Sequence, residues 1–138
     1  MVSIKIEYKG DLRCEAVHEP SGTRLITDAP VDNHGKGESF SPTDLVATGL
    51  GTCIATIMGI VANEHGIDLS GMTVSVCKEM ESEPVRRIRR LPVTVRIPRA
   101  LAANDRTRLE RAAAHCPVHK SIGKHVDAPI AFAYGSER

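Results

Sequence analysis

Residues 45–63, LVATGLGTCIATIMGIVAN, run for nineteen positions without a charged side chain. The flanks mark this stretch as a helix. Ser41-Pro42-Thr43-Asp44 supplies a capping hydroxyl, a proline suited to the first helical position and an acid in the first turn. Gly66, after Asn63-Glu64-His65, is the residue type that most often ends a helix in the left-handed conformation. The pattern predicts one helix over residues 42–65 with no polar face, so every side of it has to be enclosed. Three glycines, three threonines and Asn63 dilute the drive into lipid, and the rest of the chain is patterned as a soluble protein. A buried central helix is therefore expected rather than a membrane span. A domain of this size has difficulty covering such a helix alone, so a second subunit is expected over part of it, with Gly49, Gly51 and Gly59 permitting close approach of another backbone.

On the amino-terminal side, residues 2–8 (VSIKIEY) alternate with period two, the mark of a half-buried strand. Residues 12–18 (LRCEAVH) place Leu12, Cys14 and Ala16 opposite Arg13 and Glu15, and residues 23–28 follow after Glu19-Pro20-Ser21-Gly22. Three strands so closely spaced predict an antiparallel meander. Residues 29–40 (APVDNHGKGESF) have no period and form a connecting loop in which Lys36 and Glu38 are read as solvated charges or as the border of a pocket.

On the carboxy-terminal side, residues 72–80 and 85–97 read as a hairpin whose alternating Leu91, Val93, Val95 and Ile97 face the core. Glu79, Glu81 and Glu83 lie opposite the basic run 86–90, which favours cross-strand ion pairs over a nucleic-acid surface. A helix starting at Asn104 or Asp105 carries Leu109, Ala112, Ala113 and Cys116 on one stripe; a short helix over 117–122 and an edge strand over 128–134 complete the chain. The expected class is α+β, with antiparallel strands around a long buried central helix, in a single domain spanning residues 1–138.

Composition narrows the function. Four aromatic rings and no tryptophan do not make a stacking platform for single-stranded nucleic acid. Eighteen basic against seventeen acidic residues exert no long-range pull on polyanions or membranes. The amino terminus reads as a strand rather than a leader, so a cytoplasmic location and reduced cysteines are expected.

Of the four cysteines, Cys14 and Cys77 sit in predicted strands and read as small buried hydrophobes. Cys53 lies in the middle of the apolar helix. Cys116 lies at a helix junction beside His115, His119 and Lys120, a setting expected to favour the thiolate. Spacing alone leaves these two equally readable as packing residues or as reactive thiols. A metal site from Cys53, Cys116, His115 and His119 has no CxxC spacing to support it, and no metal is expected.

The segment Ser41-Pro42-Thr43-Asp44-Leu45 leading to Cys53, followed by His115-Cys116-Pro117-Val118-His119-Lys120-Ser121, resembles the OsmC/Ohr family of osmotically inducible and organic hydroperoxide resistance proteins. That resemblance implies an intertwined homodimer that reduces organic hydroperoxides without an organic cofactor. It implies that Cys53 is the peroxidatic cysteine and Cys116 the resolving one, and that an external dithiol, typically on a lipoylated protein, resets the pair. Thr43 stands where the hydroperoxide-reducing branches carry a Glu. Their arginine has no counterpart in loop 29–40, which leaves Arg13 and Arg24 as candidates. The alternative within the same family is a binding or redox-sensing protein with little turnover.

Overall fold

The helix start is built by reciprocal capping. In the computed structural model, which describes residues 1–135, the Asp44 amide donates to Ser41 Oγ at 3.1 Å and the Ser41 amide donates to Asp44 Oδ2 at 2.9 Å. Two otherwise orphaned donors are thus satisfied, and helix α1 runs over Pro42–Glu64. It ends as expected. Gly66 takes a φ of 63°, and the Ile67 amide reaches back to the Ala62 carbonyl at 2.9 Å.

The chain divides into two compact units, residues 1–46 and residues 47–138, with α1 beginning in the first and continuing through the second. In the first unit, β1 (Ile4–Gly10), β2 (Arg13–His18) and β3 (Thr23–Asp28) form the expected meander in the order β1-β2-β3. The register sets Ile4, Ile6 and Tyr8 opposite His18, Ala16 and Cys14, and Leu25 opposite Ala16. These residues therefore share one face. The sequence predicts that face to be half-buried, but within the single chain it is bare: Ile6 and Tyr8 are 65% and 63% exposed. Loop 29–40 contains one 3-10 turn, Val31–Asn33, and is tied to the sheet by the Asp28 amide, which donates to the Phe40 carbonyl at 3.0 Å.

The apolar core lies in the second unit. There β4 (Thr73–Val76), β7 (Val93–Ile97) and β8 (Ile130–Tyr134) form one sheet in the order β4-β7-β8, antiparallel at β4-β7 and parallel at β7-β8. Leu50, Ile54, Met58 and Ala62 of α1 pack in one cluster with Leu91, Val93, Val95 and Ile97, and with Leu109 and Ala113 of α2 (Ala103–Ala114). By length and composition α1 could cross a membrane, but this buried stripe makes it the core helix of the second unit.

Each long strand of the predicted hairpin is broken in two. Cys77-Lys78 interrupts one arm and Leu91-Pro92 the other, so that β5 (Glu79–Glu81) and β6 (Arg87–Arg90) form a separate ribbon. Pro92 has no amide proton to extend a ladder through that point. The ribbon is held by the expected ion pairs, Arg87 to Glu81 at 2.6 Å and Arg90 to Glu79 at 3.2 Å, to which Asp127 adds a second carboxylate for Arg90 at 3.0 Å. Tyr134 of β8 donates its hydroxyl proton to Glu110 of α2 at 2.6 Å, with the Arg106 guanidinium 4.6 Å from the ring centre.

Two expectations for α1 are corrected. Gly51 does not wait for another subunit: a Cβ there would lie 2.9 Å from Val76 Cγ2, so its missing side chain admits the chain's own β4. Nor does the single chain enclose every face. Thr52, Thr56 and Ile60 form an exposed stripe, along which the two threonine hydroxyls donate to carbonyls one turn back.

Two substitutions check this construction by urea unfolding. Ser41→Ala is expected to cost about 1 kcal/mol through the lost cap. Gly51→Ala is expected to destabilise by about 1 kcal/mol or more, despite the helix propensity it gains, because the added methyl overpacks against Val76.

Candidate active site

Cys53 projects from the middle of α1 and packs, partly buried, against the core of the second unit. Cys116 follows α2 and caps α3 (Pro117–Ser121). Its own side chain is fully buried, because the residue ends the apolar stripe that begins at Leu109. The two elements bring the thiols near one another, although 63 positions separate them in sequence: the Cys53 side chain is among the groups that act on the Cys116 thiol. All four cysteines are free thiols, and Cys14 and Cys77 take no part in this pair.

The protonation of Cys116 departs from the sequence-based expectation. Burial pushes its thiol above the ordinary cysteine range, and the neighbouring Cys53 side chain pushes it further in the same direction. Amides of His119 and Val118 at the start of α3 work against this without reversing it; the His119 contact is 3.4 Å. Desolvation disfavours the charged form, and two amides of a five-residue helix do not offset it. The neighbouring histidines are engaged elsewhere. His115 donates from Nδ1 to the Arg111 carbonyl at 2.7 Å, and His119 donates from Nε2 to the Ala128 carbonyl at 3.0 Å.

In the first unit, Asp28 is buried and accepts from the Glu38 amide at 3.0 Å and from Arg13 Nη2 at 3.3 Å. The Glu38 amide, and then the Arg13 guanidinium, hold its carboxyl below the usual range against the opposing effect of burial. Arg13 also reaches the Glu38 carboxylate at 2.5 Å, and Arg24 pairs with Glu15 at 3.0 Å. Both candidate arginines thus have carboxylate partners, and Glu38 serves this network. Thr43 lies in the first turn of α1, with its hydroxyl 3.2 Å from Ser41 Oγ. Among the described residues no three His, Cys, Asp or Glu side chains converge as metal ligands.

Residues 35–130, which include both cysteines of the pair, match the family described as OsmC-like protein. The chain belongs to the OsmC-like protein family. Its fold agrees over almost the whole length with a protein of Psychrobacter arcticus described as an osmotic stress induced and detoxification response protein, at 42% identity, a TM-score of 0.89 and 96% coverage of each chain. Two more distant OsmC-family structures share the fold. One is the organic hydroperoxide resistance protein OsmC of Legionella pneumophila, at 19% identity and a TM-score of 0.74 over 96% of each chain. The other is an organic hydroperoxide resistance protein of Vibrio cholerae with captopril in one of its active sites, at 18% identity and a TM-score of 0.75 over 96% of this chain and 90% of that one. The search of curated proteins gave no match.

Sequence reasoning placed Cys116 on the core stripe but missed the effect of that burial on its proton. It also passed over Arg108 and Arg111, which with His115 line a cleft beside Ile57, Val61 and Ala112. Two measurements check the state of Cys116. Alkylation by iodoacetamide, followed by peptide mass analysis, should label exposed Cys77 well before Cys116, whose labelling should rise only above the ordinary cysteine pKa of 9.0. The folded chain also keeps a proton that the unfolded chain releases near pH 9.0, so stability should be fully present below that pH and decline above it, until the raised folded value is passed.

Proposed function

We propose that this OsmC-like protein is a cysteine-based peroxidase that reduces organic hydroperoxides. The observation that carries the reading is that two free thiols 63 positions apart in sequence come together at the core, Cys53 on α1 and the buried Cys116, whose thiol form burial favours. A donor held as a thiol stabilises a thiolate formed on its neighbour, because hydrogen bonds to an ionised acceptor are roughly twice as strong as neutral ones. Family membership and the names of the Legionella and Vibrio relatives support the same substrate class.

The chemistry balances in three steps. The Cys53 thiolate attacks the distal peroxide oxygen and breaks the O–O bond, and the departing alkoxide takes a proton to leave as the alcohol. Cys53 becomes a sulfenic acid. The Cys116 thiol then attacks the sulfenic sulfur, forming the Cys53–Cys116 disulfide and releasing water. An external dithiol, such as that of a lipoylated protein, exchanges with the disulfide, leaving both cysteines reduced and itself oxidised. No metal or organic cofactor enters these steps, and a reducing cytoplasmic setting keeps the resting thiols available.

A homodimer belongs to the same reading. A three-stranded sheet with Ile4, Ile6, Tyr8 and Leu25 exposed on one face calls for a cover, and a second copy offers the same apolar face in return. The alternative of a sensor with little turnover rests on Thr43 at the family's Glu position and on the carboxylate partners of Arg13 and Arg24.

Cys53→Ser should abolish hydroperoxide consumption. Cys116→Ser should consume one equivalent and leave a sulfenic acid on Cys53 that dimedone traps. Stoichiometric loss in Cys53→Ser and none in Cys116→Ser would reverse the roles, and loss in neither variant nor the parent would favour the sensor. Sedimentation should give a dimer at micromolar concentration that Ile6→Glu weakens; a stable monomer of the parent chain would contradict the proposed assembly.

A further inference from the structure

Ala128 is buried, and the direction of its carbonyl is fixed by its neighbours. Residues 127–129 continue the parallel pairing of β7 with β8 past the end of β8. The Leu91 amide donates to the Asp127 carbonyl at 2.8 Å, and the Val93 amide to the Pro129 carbonyl at 2.8 Å. Arg87 and Arg90 hold the same stretch from the ribbon, through the His125 carbonyl at 2.8 Å and the Asp127 carboxylate at 3.0 Å. Carbonyls alternate in direction along a strand, so with those of Asp127 and Pro129 turned toward the ladder, that of Ala128 faces away from it. A buried carbonyl without a donor is costly, and the donor here is His119 Nε2 at 3.0 Å.

The same histidine touches the thiol site through its backbone. Its amide donates to Cys116 Sγ at 3.4 Å, and together with the Val118 amide it favours the thiolate against the effect of burial. Pro117, the first residue of α3, has no amide to contribute. A helix of five residues does not hold its own first turn, so the placing of these two amides depends on what ties α3 to the rest of the unit. The His119 ring, fastened nine positions ahead at Ala128, is such a tie. Among the titratable side chains of the surrounding elements, Cys53 of α1 acts on the sulfur. His115, Tyr134 and Asp127 are bound to the Arg111 carbonyl, Glu110 and Arg90, and Lys120 is exposed.

We infer that His119 is a positioning residue for disulfide formation: its ring, anchored on the Ala128 carbonyl, holds the first turn of α3 so that two backbone amides meet the Cys116 sulfur. The inference rests on the peroxidase reading. In that step the Cys116 thiol gives up its proton and its sulfur attacks the sulfenic sulfur of Cys53. The S–O bond breaks and the departing hydroxide takes a proton to leave as water, so Cys116 is oxidised as the sulfenic sulfur is reduced. Amides aimed at Cys116 stabilise the charge that develops there, because hydrogen bonds to an ionised acceptor are the stronger ones. The attack of Cys53 on the peroxide does not draw on them.

The test compares the whole reduced protein with His119→Leu, which removes the donor, and with His119→Gln, whose amide nitrogen takes the place of Nε2. One arm needs no peroxide. The pH profile of Cys116 alkylation, read by peptide mass analysis, should move to higher pH in His119→Leu and return in His119→Gln. The other arm adds one equivalent of cumene hydroperoxide. Peroxide should disappear at the parental rate in every variant, while closure of the Cys53–Cys116 disulfide at pH 7 slows about tenfold in His119→Leu and recovers in His119→Gln, with dimedone trapping more sulfenic acid wherever closure is slow. His119→Asn, polar but one bond too short to reach Ala128, should follow His119→Leu and serves in its place if that variant does not fold. Parental closure rates and alkylation profiles in the Leu and Asn variants would overturn the inference, as would slowing in His119→Gln equal to theirs. An alkylation profile moved toward the ordinary cysteine range would make the ring a shield for the sulfur and overturn it as well. Absence of peroxide loss in the parent would overturn the peroxidase reading instead, and the alkylation arm would still decide whether His119 governs the Cys116 sulfur.

Discussion

Everything in the second unit follows from a helix without charge. Nineteen uncharged positions between Asp44 and Glu64 leave α1 without a charged face, and its stripe of Leu50, Ile54, Met58 and Ala62 is driven into the core. Gly51 allows the backbone to settle against Val76 of β4, and Leu109 and Ala113 of α2 complete the packing. Once α1 is fixed in this way, Cys53 lies at the edge of the apolar cluster. Cys116, as the last member of the α2 stripe, is carried to it by the same burial. The thiol pair is thus a product of core packing rather than of a mobile loop, which keeps it in register before any substrate arrives.

That origin also decides the electrostatics. Histidines and a lysine near Cys116 in sequence suggest an activated thiolate, yet full burial outweighs them, and both histidines spend a ring nitrogen on a backbone carbonyl. A protonated Cys116 suits the resolving role better than the attacking one. Charge read from neighbouring letters pointed the other way, because it takes no account of burial.

Most of the framework was legible in the sequence because it is written in local signals. The capping box at Ser41 and Asp44, the stop at Gly66, the alternation in Val93, Val95 and Ile97 and the α2 stripe each act over a few residues. Non-local features were not legible. The hairpin breaks at Cys77 and Pro92 depend on which strand neighbours each half, and the bare face of Ile4, Ile6 and Tyr8 depends on what covers it. The contact of Cys53 with Cys116 was available only through resemblance, and the cleft at Arg111 through neither route, since residues from two helices compose it.

The central claim is that Cys53 and Cys116 act as one redox couple, and disulfide mapping tests it most directly. The reduced protein would be treated with one equivalent of an organic hydroperoxide, blocked, digested without reductant and analysed by mass spectrometry. The account predicts loss of two thiols and a single linkage joining the Cys53 and Cys116 peptides, with Cys14 and Cys77 still free. A bridge containing Cys14 or Cys77, or four intact thiols after exposure to the peroxide, would contradict it.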